Sequence, residues 1–572
     1  MAIPIGTALL LGFIAGFSYF SRRFLGELYL ERPIVLAPLA GLIMGDFQAG
    51  LVIGGTLELV FMGVTAIGGG VQPNMPLAAV LGTAFSVSAG LSVDEAVLLA
   101  VPASLLGSFF ELLAKTVSTF FVNGAERFAD QNNTAGVSLM VHLGNVAHFL
   151  AIGLPAFLAL ALGSELVQQF VDSIPPFIND GIGAAGAALP ALGFALLLST
   201  IASTEMLPYF FIGFLIAAYT EFGVLGVGVL GILVAAIYVI QQGGVTLLGE
   251  DDEDVAGVAG VAGVDDGGGV ASVQMADDDV PATVPGEAPA GAALGTAPPG
   301  VTRASELITE GDRRTIFWRS FALQSAFSFD RMQSLGFTWA LIPFLKKIYG
   351  DSAELGRALR RHMAFFNTHP WVPGPVLALV ADLEAQRSLR GDEIEEQSIQ
   401  GIKASLMGPL AGAADPLFHG TLRPLVGGIA ASLALAGNGI APLMFFVIMN
   451  VIHVAVRWWT TMESFRFGST FFERLDAASL DRLMTGSAIA GLMATGGLVG
   501  TWLNITTPLT YTSAEGAVVT VQEMLDGIMP GLLPLTVTLL IYWAIRKGVS
   551  ITVIMLVMVV VAIVLGGLGI IA

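Results

Sequence analysis

The chain contains no cysteine among its 572 residues, and only 12% of its residues are charged. The missing cysteines exclude disulfide bridges and thiolate metal sites. A soluble domain carries roughly 25% charged residues, whereas here 55% of the residues are hydrophobic and the mean hydropathy is +0.78. The sequence therefore predicts an integral membrane protein, multi-pass and located in the inner (plasma) membrane, with the lipid bilayer as its surroundings.

Known catalytic signatures are also missing. The sequence has no P-loop, no HExxH, no GxSxG and no His/Cys metal cluster. The scattered histidines are typical of interfacial or packing positions; they are His142, His148, His362, His419 and His453. No basic stripe is present that could neutralise nucleic-acid phosphates. We therefore expect no enzyme active site, no cofactor, no metal and no nucleic-acid partner.

The acidic residues are concentrated in one segment. Residues 250–300 hold eleven acids and no lysine or arginine, out of a formal net charge of -20 for the chain. The segment is rich in Gly, Ala, Val and Pro, so it cannot bury enough apolar surface to offset its ordering entropy. Residues 244–302 are predicted to be a disordered acidic linker between two membrane domains, residues 1–243 and residues 303–572.

Apolar segments of bilayer length or shorter recur through both domains. Several are interrupted by glycine or proline, as at Gly54-Gly55 and Gly68-Gly69-Gly70, which is typical of re-entrant or discontinuous helices. In the second domain, residues 311–361 predict amphipathic helices at an interface, and residues 381–400 predict a solvated helix. Residues 504–522 predict a small extracellular β-hairpin. The fold class is an all-α polytopic membrane protein.

Polar residues beside these breaks are the candidate ligands of the first domain. Glu58 lies in an apolar run, where an ionisable group costs roughly 2.5–3.5 kcal/mol to insert. It either contacts a solute, pairs with an arginine or accepts hydrogen bonds at a helix end. Gln72 and Asn74 flank Pro73 and offer amide groups. Asp46 follows Gly45 and suits either a ligand or a helix cap.

Two motifs of the second domain carry the remaining candidates. Asn367, Thr368 and His369 precede Pro370, and Asp415 lies between a small-residue bend and Pro416. Amide, hydroxyl and imidazole groups both donate and accept hydrogen bonds, which the hydroxyls of a sugar require. Structural roles stay open: His369 as the partner of a broken helix end, and Asp415 as a cap. Arg423 is predicted to anchor a helix at the membrane interface.

At these motifs the chain resembles the mannose-type (mannose/fructose/sorbose) permeases of the sugar phosphotransferase system. Residues 1–243 resemble the IIC subunit through Arg32-Pro33, Gly45-Asp46, Gly54 to Glu58 and Asn179 to Gly186. Residues 308–572 resemble the IID subunit. That match rests on Arg331 to Phe337, Arg360-Arg361-His362, Phe366 to Pro370, and Met407 to Pro416. Asn74 stands where the family often has Asp, and Ala413-Ala414 interrupt its Gly-rich motif.

The resemblance implies a fused IIC–IID sugar permease. It implies two pseudo-symmetric inverted units with re-entrant hairpins, a homotrimer, and inward movement of a hexose or amino sugar while a separate IIB protein phosphorylates it. Partner IIA/IIB phosphocarrier proteins would carry out the phosphoryl transfer, so the chain itself would be a transport component. The sugar site would lie between Glu58 and Asn74 on one side and Asn367, Thr368 and His369 on the other. The alternative is an ion-coupled secondary sugar transporter that uses Glu58 or Asp415.

Overall fold

The computed structural model describes residues 3–64, 72–172, 184–185, 187–220, 222–244, 307–467, 477–512 and 518–571. Except for Gly244, the predicted linker 244–302 lies outside the described residues. The same holds for Gly68-Gly69-Gly70 and for most of the stretch 179–186.

Helices make up nearly all of the described N-terminal half. They are α1 (Ile5–Phe24), α2 (Pro33–Met44), α3 (Phe47–Val60), α4 (Met75–Ala89), α5 (Val93–Asp130), α6 (Thr134–Asp172), α7 (Pro190–Ile201), α8 (Leu207–Tyr219) and α9 (Val224–Gln241).

The C-terminal half continues with helices and two short strands. The helices are α10 (Glu310–Ser320), α11 (Ser334–Tyr349), α12 (Ala353–His362), α13 (Gly374–Arg390), α14 (Glu396–Ala414), α15 (Arg423–Leu435), α16 (Ala441–Phe467), α17 (Ala477–Trp502), α18 (Val521–Ile528), α19 (Leu532–Arg546) and α20 (Ile551–Gly567). Between them lie two 3₁₀ turns (Phe321–Gln324 and Gly391–Glu393), a π-helical turn (Asp415–Leu422), and strands β1 (Thr510–Thr512) and β2 (Val518–Thr520).

Four helices in the described part of the chain are long and apolar enough to cross a bilayer by themselves. These are α1, α5 and α16, together with residues 134–163 of α6. Helices α18 and α19 are bent by 75° at a short break and together are long and apolar enough for a broken span or a re-entrant loop. Several other apolar helices are short, such as α2 with 12 residues and α3 with 14, whereas a helical span needs roughly 20. The interrupted apolar segments of the sequence thus correspond to short helices.

Glycines set the closest helix contacts. Helices α2 and α3 form a hairpin in which Gly50 lies against the backbone of Ala37 and Gly41, so that a Cβ on Gly50 would lie 2.5 Å from the Ala37 carbonyl oxygen. Between the two halves, Gly213 of α8 leaves no room for a side chain beside the Met493 carbonyl of α17. Small residues of this kind let membrane helices approach closely.

The segment after α10 packs into a core that it shares with α5 and α6 of the N-terminal half. Leu335, Leu341, Leu355, Leu359 and Val376 are all fully buried there. The apolar faces of α11, α12 and α13 therefore pack against a shared core.

The solvated helix predicted for residues 381–400 holds only in part, because ion pairs bury Glu384 and Arg387, whereas Arg390, Asp392 and Glu393 are exposed. Glu384 on α13 is fully buried and accepts hydrogen bonds from Arg361 at 2.6 Å and from Tyr349 at 2.6 Å. Burial alone would raise the pKa of Glu384, but the hydrogen bonds from Arg361 and His362 hold that pKa below its usual range. Glu384 on α13 therefore belongs to a buried network of ion pairs and hydrogen bonds.

The hairpin predicted near residues 504–522 is present. Strands β1 and β2 are antiparallel, with Thr510 opposite Thr520 and Thr512 opposite Val518. The three residues of β1 are exposed, so the hairpin stands away from the helical core. Its extracellular location stays a prediction, as does the inverted symmetry of the two halves.

Candidate functional site

A polar cavity lies between the two halves of the chain. The cavity volume is about 70 Å³, smaller than the roughly 300–1,000 Å³ that small-molecule sites usually have. The N-terminal half contributes Arg22, Arg23, Glu27, Glu111 and Lys115 to its lining. The C-terminal half contributes Gln324, Phe327, Gln333, Asn367, Thr368, Pro370, Ala411, Asp415, His419 and Arg423. Since both halves supply lining side chains, the cavity forms only where the two halves pack against each other.

Gln333 holds the segment that contains Asn367 and Thr368 in an extended form. The backbone N–H of Gln333 donates to the Phe366 carbonyl at 2.9 Å. Its side-chain amide donates to the Thr368 carbonyl at 2.8 Å and accepts from the Thr368 N–H at 3.0 Å. The Thr368 hydroxyl is buried and has no hydrogen-bond partner among the described residues. The backbone is thus satisfied, while the Thr368 hydroxyl remains available to a bound solute.

The hydrogen bonds of His369 define its tautomer. Its Nδ1 accepts from the Trp371 backbone N–H at 3.2 Å, so a neutral ring carries its proton on Nε2. Nε2 is buried, has no hydrogen-bond partner in the described part of the chain, and lies 3.8 Å from Asp415 Oδ1. His369 therefore presents a donor and Asp415 an acceptor. A hydroxyl group beside both atoms could bond to each.

Asp415 begins the π-helical turn that joins α14 to α15. Pro416 has no amide hydrogen, which removes a bond that a regular helix would form there. The wide turn places His419 Nδ1 at 3.9 Å from Asp415 Oδ1, and His419 Nε2 at 3.3 Å from Glu27 Oε2. His419, expected to be a packing residue, thus links carboxylates of the two halves and lines the cavity.

The side chains of His369, Asp415 and His419 form the one group in the described residues that could hold a metal ion. The ligand atoms of His369, Asp415 and His419 lie within 4.8 Å of one another. Metal ligation by the Nε2 atom of His369 requires that atom to lose its proton. Nδ1 would then take the proton and lose its bond from Trp371. The observed hydrogen bonding therefore favours a polar solute over a metal at this position.

Three basic residues on the N-terminal side of the cavity are paired with acids. Arg22 lies 3.5 Å from Glu27, while Arg23 and Lys115 lie 3.4 and 3.0 Å from Glu111. Arg23 also donates to the Tyr19 hydroxyl at 2.8 Å. The Arg23–Glu111 pair joins α1 to α5, and the residues of the three pairs line one side of the cavity.

Arg423 differs from the interfacial anchor expected from the sequence. It is 6% exposed, begins α15 and lines the cavity. Its Nη2 donates to the Val64 carbonyl at 3.4 Å, and its Nε has no hydrogen-bond partner among the residues described. The position is inside the protein because the π-helical turn directs the start of α15 inward.

Glu58 is occupied by an arginine of its own half. Arg32 Nε donates to Glu58 Oε1 at 2.9 Å, and Arg32 Nη2 bonds to the same carboxylate. Both side chains are buried, and the Ile34 N–H donates to Glu58 Oε2 at 3.3 Å. The sequence left three roles open for Glu58, and in the structure Glu58 pairs with an arginine. Glu58 does not line the cavity.

Asn74, Gln72 and Asp46 also lie outside the cavity lining. Asn74 caps α4 by accepting from the Leu77 N–H at 3.1 Å, although its Nδ2 is buried and unpartnered within the described residues. Gln72 is buried, and its main-chain carbonyl accepts a hydrogen bond from the Ser108 hydroxyl, one turn before Glu111 on α5. Asp46 is exposed and caps α3 through the Ala49 N–H at 2.9 Å. A role of these three in binding stays a prediction.

Sequence reasoning did not identify several cavity residues as candidates. Glu111 and Lys115 form an i,i+4 pair inside the apolar helix α5, and ionisable groups in such helices are functional candidates by default. That signal was available for both. Gln333 lies within the motif Arg331 to Phe337 and Arg423 was singled out as an anchor, but no local signal placed either in a cavity, because their positions depend on partners far along the chain.

Comparison with known proteins gives a consistent result over both halves. Residues 307–571 match the family described as "PTS system mannose/fructose/sorbose family IID component", and residues 5–237 match "PTS system sorbose-specific IIC component". The mannose-specific EIID component of Escherichia coli K12 is 38% identical over 255 residues, which are 44% of this chain and 90% of that protein.

Two further relatives cover the two halves. The sorbose-specific EIID component of Klebsiella pneumoniae is 42% identical over 248 residues, 42% of this chain and 90% of the relative. The mannose-specific EIIC component of E. coli K12 is 29% identical over 217 residues, 38% of this chain and 81% of the relative. One continuous chain therefore aligns with two components that are separate in these relatives.

Proposed function

Because the chain belongs to the mannose/fructose/sorbose family of phosphotransferase-system permeases, with a IIC component fused to a IID component, we propose that it moves a hexose or amino sugar inward as a separate IIB protein phosphorylates it. The chain is a multi-pass inner-membrane transport component rather than the phosphotransferase enzyme. The proposal includes IIA/IIB phosphocarriers as partners and a homotrimeric assembly of two-unit chains.

The observation that carries the proposal is the polar cavity at the junction of the two halves. Its Asn367, Thr368 and Asp415 side chains, with His369 behind them, offer neutral donors and acceptors beside a carboxylate. Sugar hydroxyls need both kinds of partner. The residues that bind the sugar in this proposal are these four, while Glu58 supports the IIC half through Arg32.

Phosphorylation supplies the driving force in this proposal, so an intramembrane coupling ion is not needed. An ion-coupled mechanism would require a carboxylate that is free to exchange its ion. Glu58 is bound by Arg32, which leaves that role without support at Glu58. The family relatives likewise support the phosphotransferase function over the alternative.

Sugar uptake by vesicles tests the proposal. Vesicles holding the full chain are supplied with labelled mannose, with and without phosphoenolpyruvate and the soluble carriers. We expect sugar phosphate to accumulate only with carriers present, and an uncoupler to leave the initial rate unchanged. Accumulation without carriers that the uncoupler abolishes would overturn the proposal.

A matched pair of variants connects this test to the cavity. Asn367→Ala removes an amide from the cavity lining, whereas Asn504→Ala removes an exposed amide far along the chain. We expect the first variant to lose uptake and the second to retain it. Equal uptake by both variants would place the sugar elsewhere.

A further inference from the structure

Arg423 is the basic residue of the cavity that has no acidic partner among the described residues. The salt bridges of the described chain include Arg22, Arg23 and Lys115 but not Arg423. Its one hydrogen bond, to the Val64 carbonyl, is 3.4 Å long. A guanidinium keeps its charge in proteins. Burying such a charge without a counter-charge is costly, so this position requires an explanation.

Other buried arginines show how the chain normally treats this group. Arg32 is bound by the Glu58 carboxylate. Arg457 has no acid either, but it donates to the Pro370 carbonyl and to Ser320 Oγ and lies over the Phe321 ring. Arg423 has neither a carboxylate nor a comparable set of acceptors. Its donors therefore remain available inside the cavity.

The acids around the cavity are already engaged by other groups. Glu27 contacts Arg22 and His419, and Glu111 contacts Arg23 and Lys115. Asp415 faces the imidazoles of His369 and His419 at 3.8 and 3.9 Å. A neutral sugar would leave the guanidinium of Arg423 without a direct ion pair, since Glu27 and Glu58 act on it only from a distance. An anion in the cavity would balance it.

We infer that Arg423 binds a phosphoryl oxygen of a sugar phosphate, so that the cavity holds the phosphorylated sugar as well as the free sugar. The inference rests on the proposed function, in which a phosphate monoester is the product. The planar guanidinium presents donors in a fork that matches the oxygens of a phosphate group. Arg423 directly follows the π-helical turn that Asp415 begins, so one short stretch of chain would contact both the sugar and its phosphate.

Equilibrium binding to the purified full-length chain tests this inference without any phosphocarrier. Mannose, mannose 6-phosphate and inorganic phosphate are titrated separately into wild type, Arg423→Gln and Arg423→Lys. We expect wild type to bind mannose 6-phosphate more tightly than inorganic phosphate, with an affinity that falls as salt rises. Arg423→Gln should weaken mannose 6-phosphate binding by roughly tenfold or more while changing mannose binding by less than about twofold. The affinity of Arg423→Lys for mannose 6-phosphate should lie between those of wild type and Arg423→Gln.

Controls separate a binding role from a structural one. Arg466→Gln removes the same charge from a side chain that is 70% exposed, and it should leave both affinities unchanged. An equal loss of mannose and mannose 6-phosphate binding in Arg423→Gln would overturn the inference. Inorganic phosphate binding as tightly as mannose 6-phosphate would assign the site to a free anion and would also overturn it.

A second measurement uses wild type alone and does not depend on the folding of any variant. Mannose 6-phosphate should displace bound mannose, because the two share the cavity. Failure to compete would contradict the inference. Since no carrier is present, failure of carrier-dependent uptake would count against the proposed function and not against phosphate binding.

Discussion

Residues 46–74 and residues 366–415 both combine polar side chains with broken helices, but they use those side chains in opposite ways. In the first region, Glu58 is bound by Arg32, and the side-chain oxygens of Asp46 and Asn74 cap helices. In the second, the backbone is satisfied by Gln333, and the Thr368 hydroxyl and His369 Nε2 are left without partners in the described residues. The fold thus satisfies the carboxylates of the first region, whereas Thr368 and His369 keep unpartnered atoms among the described residues, as Gln72 and Asn74 also do.

The largest expected effect comes from breaking the satisfied region. Glu58→Ala leaves Arg32 buried without its counter-charge, which should lower the free energy of unfolding by about 3–5 kcal/mol. The double variant Arg32→Met, Glu58→Leu should recover most of that loss, because apolar replacements leave no buried charge. Chemical unfolding in detergent measures both. Normal stability of Glu58→Ala combined with lost sugar binding would instead make Glu58 a ligand.

The next effect comes from loosening the second region while leaving its cavity side chains in place. Gln333→Glu keeps an acceptor for the Thr368 N–H but removes the donor to the Thr368 carbonyl, placing two oxygens in contact. We expect a loss of about 1–3 kcal/mol in the free energy of unfolding and weaker sugar binding. Gln397→Glu, at an exposed position, is the matched control. Unfolding and mannose titrations of both variants test this, and unchanged binding in Gln333→Glu would contradict a positioning role.

A smaller effect is expected from removing one ligand group. Asn367→Ala should weaken sugar binding by about tenfold, equivalent to about 1.4 kcal/mol, because it removes hydrogen bonds to the sugar. The free energy of unfolding should change little, since the side chain is only half-buried and lines the cavity. Calorimetric titration with mannose gives the affinity. A parallel loss of stability would indicate that Asn367 supports the fold instead.

The smallest effect should come from Asp46. Asp46→Ala removes the cap of α3 and should cost about 1 kcal/mol of stability, with uptake unchanged at saturating sugar. Asp46→Asn keeps a capping oxygen and should restore most of the stability. Thermal unfolding and vesicle uptake are the two measurements. Lost uptake with normal stability in Asp46→Ala would indicate that Asp46 is a ligand of the sugar.

Local sequence signals predicted a large part of this fold. Hydropathy indicated a helical membrane protein. Glycine and proline spacing indicated re-entrant or discontinuous helices because both residues act on the backbone around them; the structure has short apolar helices there, and re-entry stays a prediction. The hairpin near residue 511 was predicted from its Thr, Val and Tyr residues, which favour strands. The motif Asn367 to His369 was likewise found from its own composition.

The rest depended on pairings that no local window contains. Glu58 is 26 residues from Arg32, and Glu384 is 23 residues from Arg361, so neither charge revealed its partner. Residues 381–400 were predicted to be solvated because charge normally marks a surface. Arg423 was predicted to be interfacial for the same reason. The tertiary fold buries Glu384, Arg387 and Arg423, and the burial of these three charges could not be read from spacing alone.

The π-helical turn makes the chain length between Asp415 and Arg423 a determinant of the cavity. Each residue of a regular helix turns the chain by about 100°, and a π-helical turn contains more residues than a regular one. Winding the same residues as a regular helix would rotate the start of α15 by about that angle. The Arg423 side chain would then point away from Asp415. In this segment the number of residues, as much as their identity, determines which groups meet across the cavity.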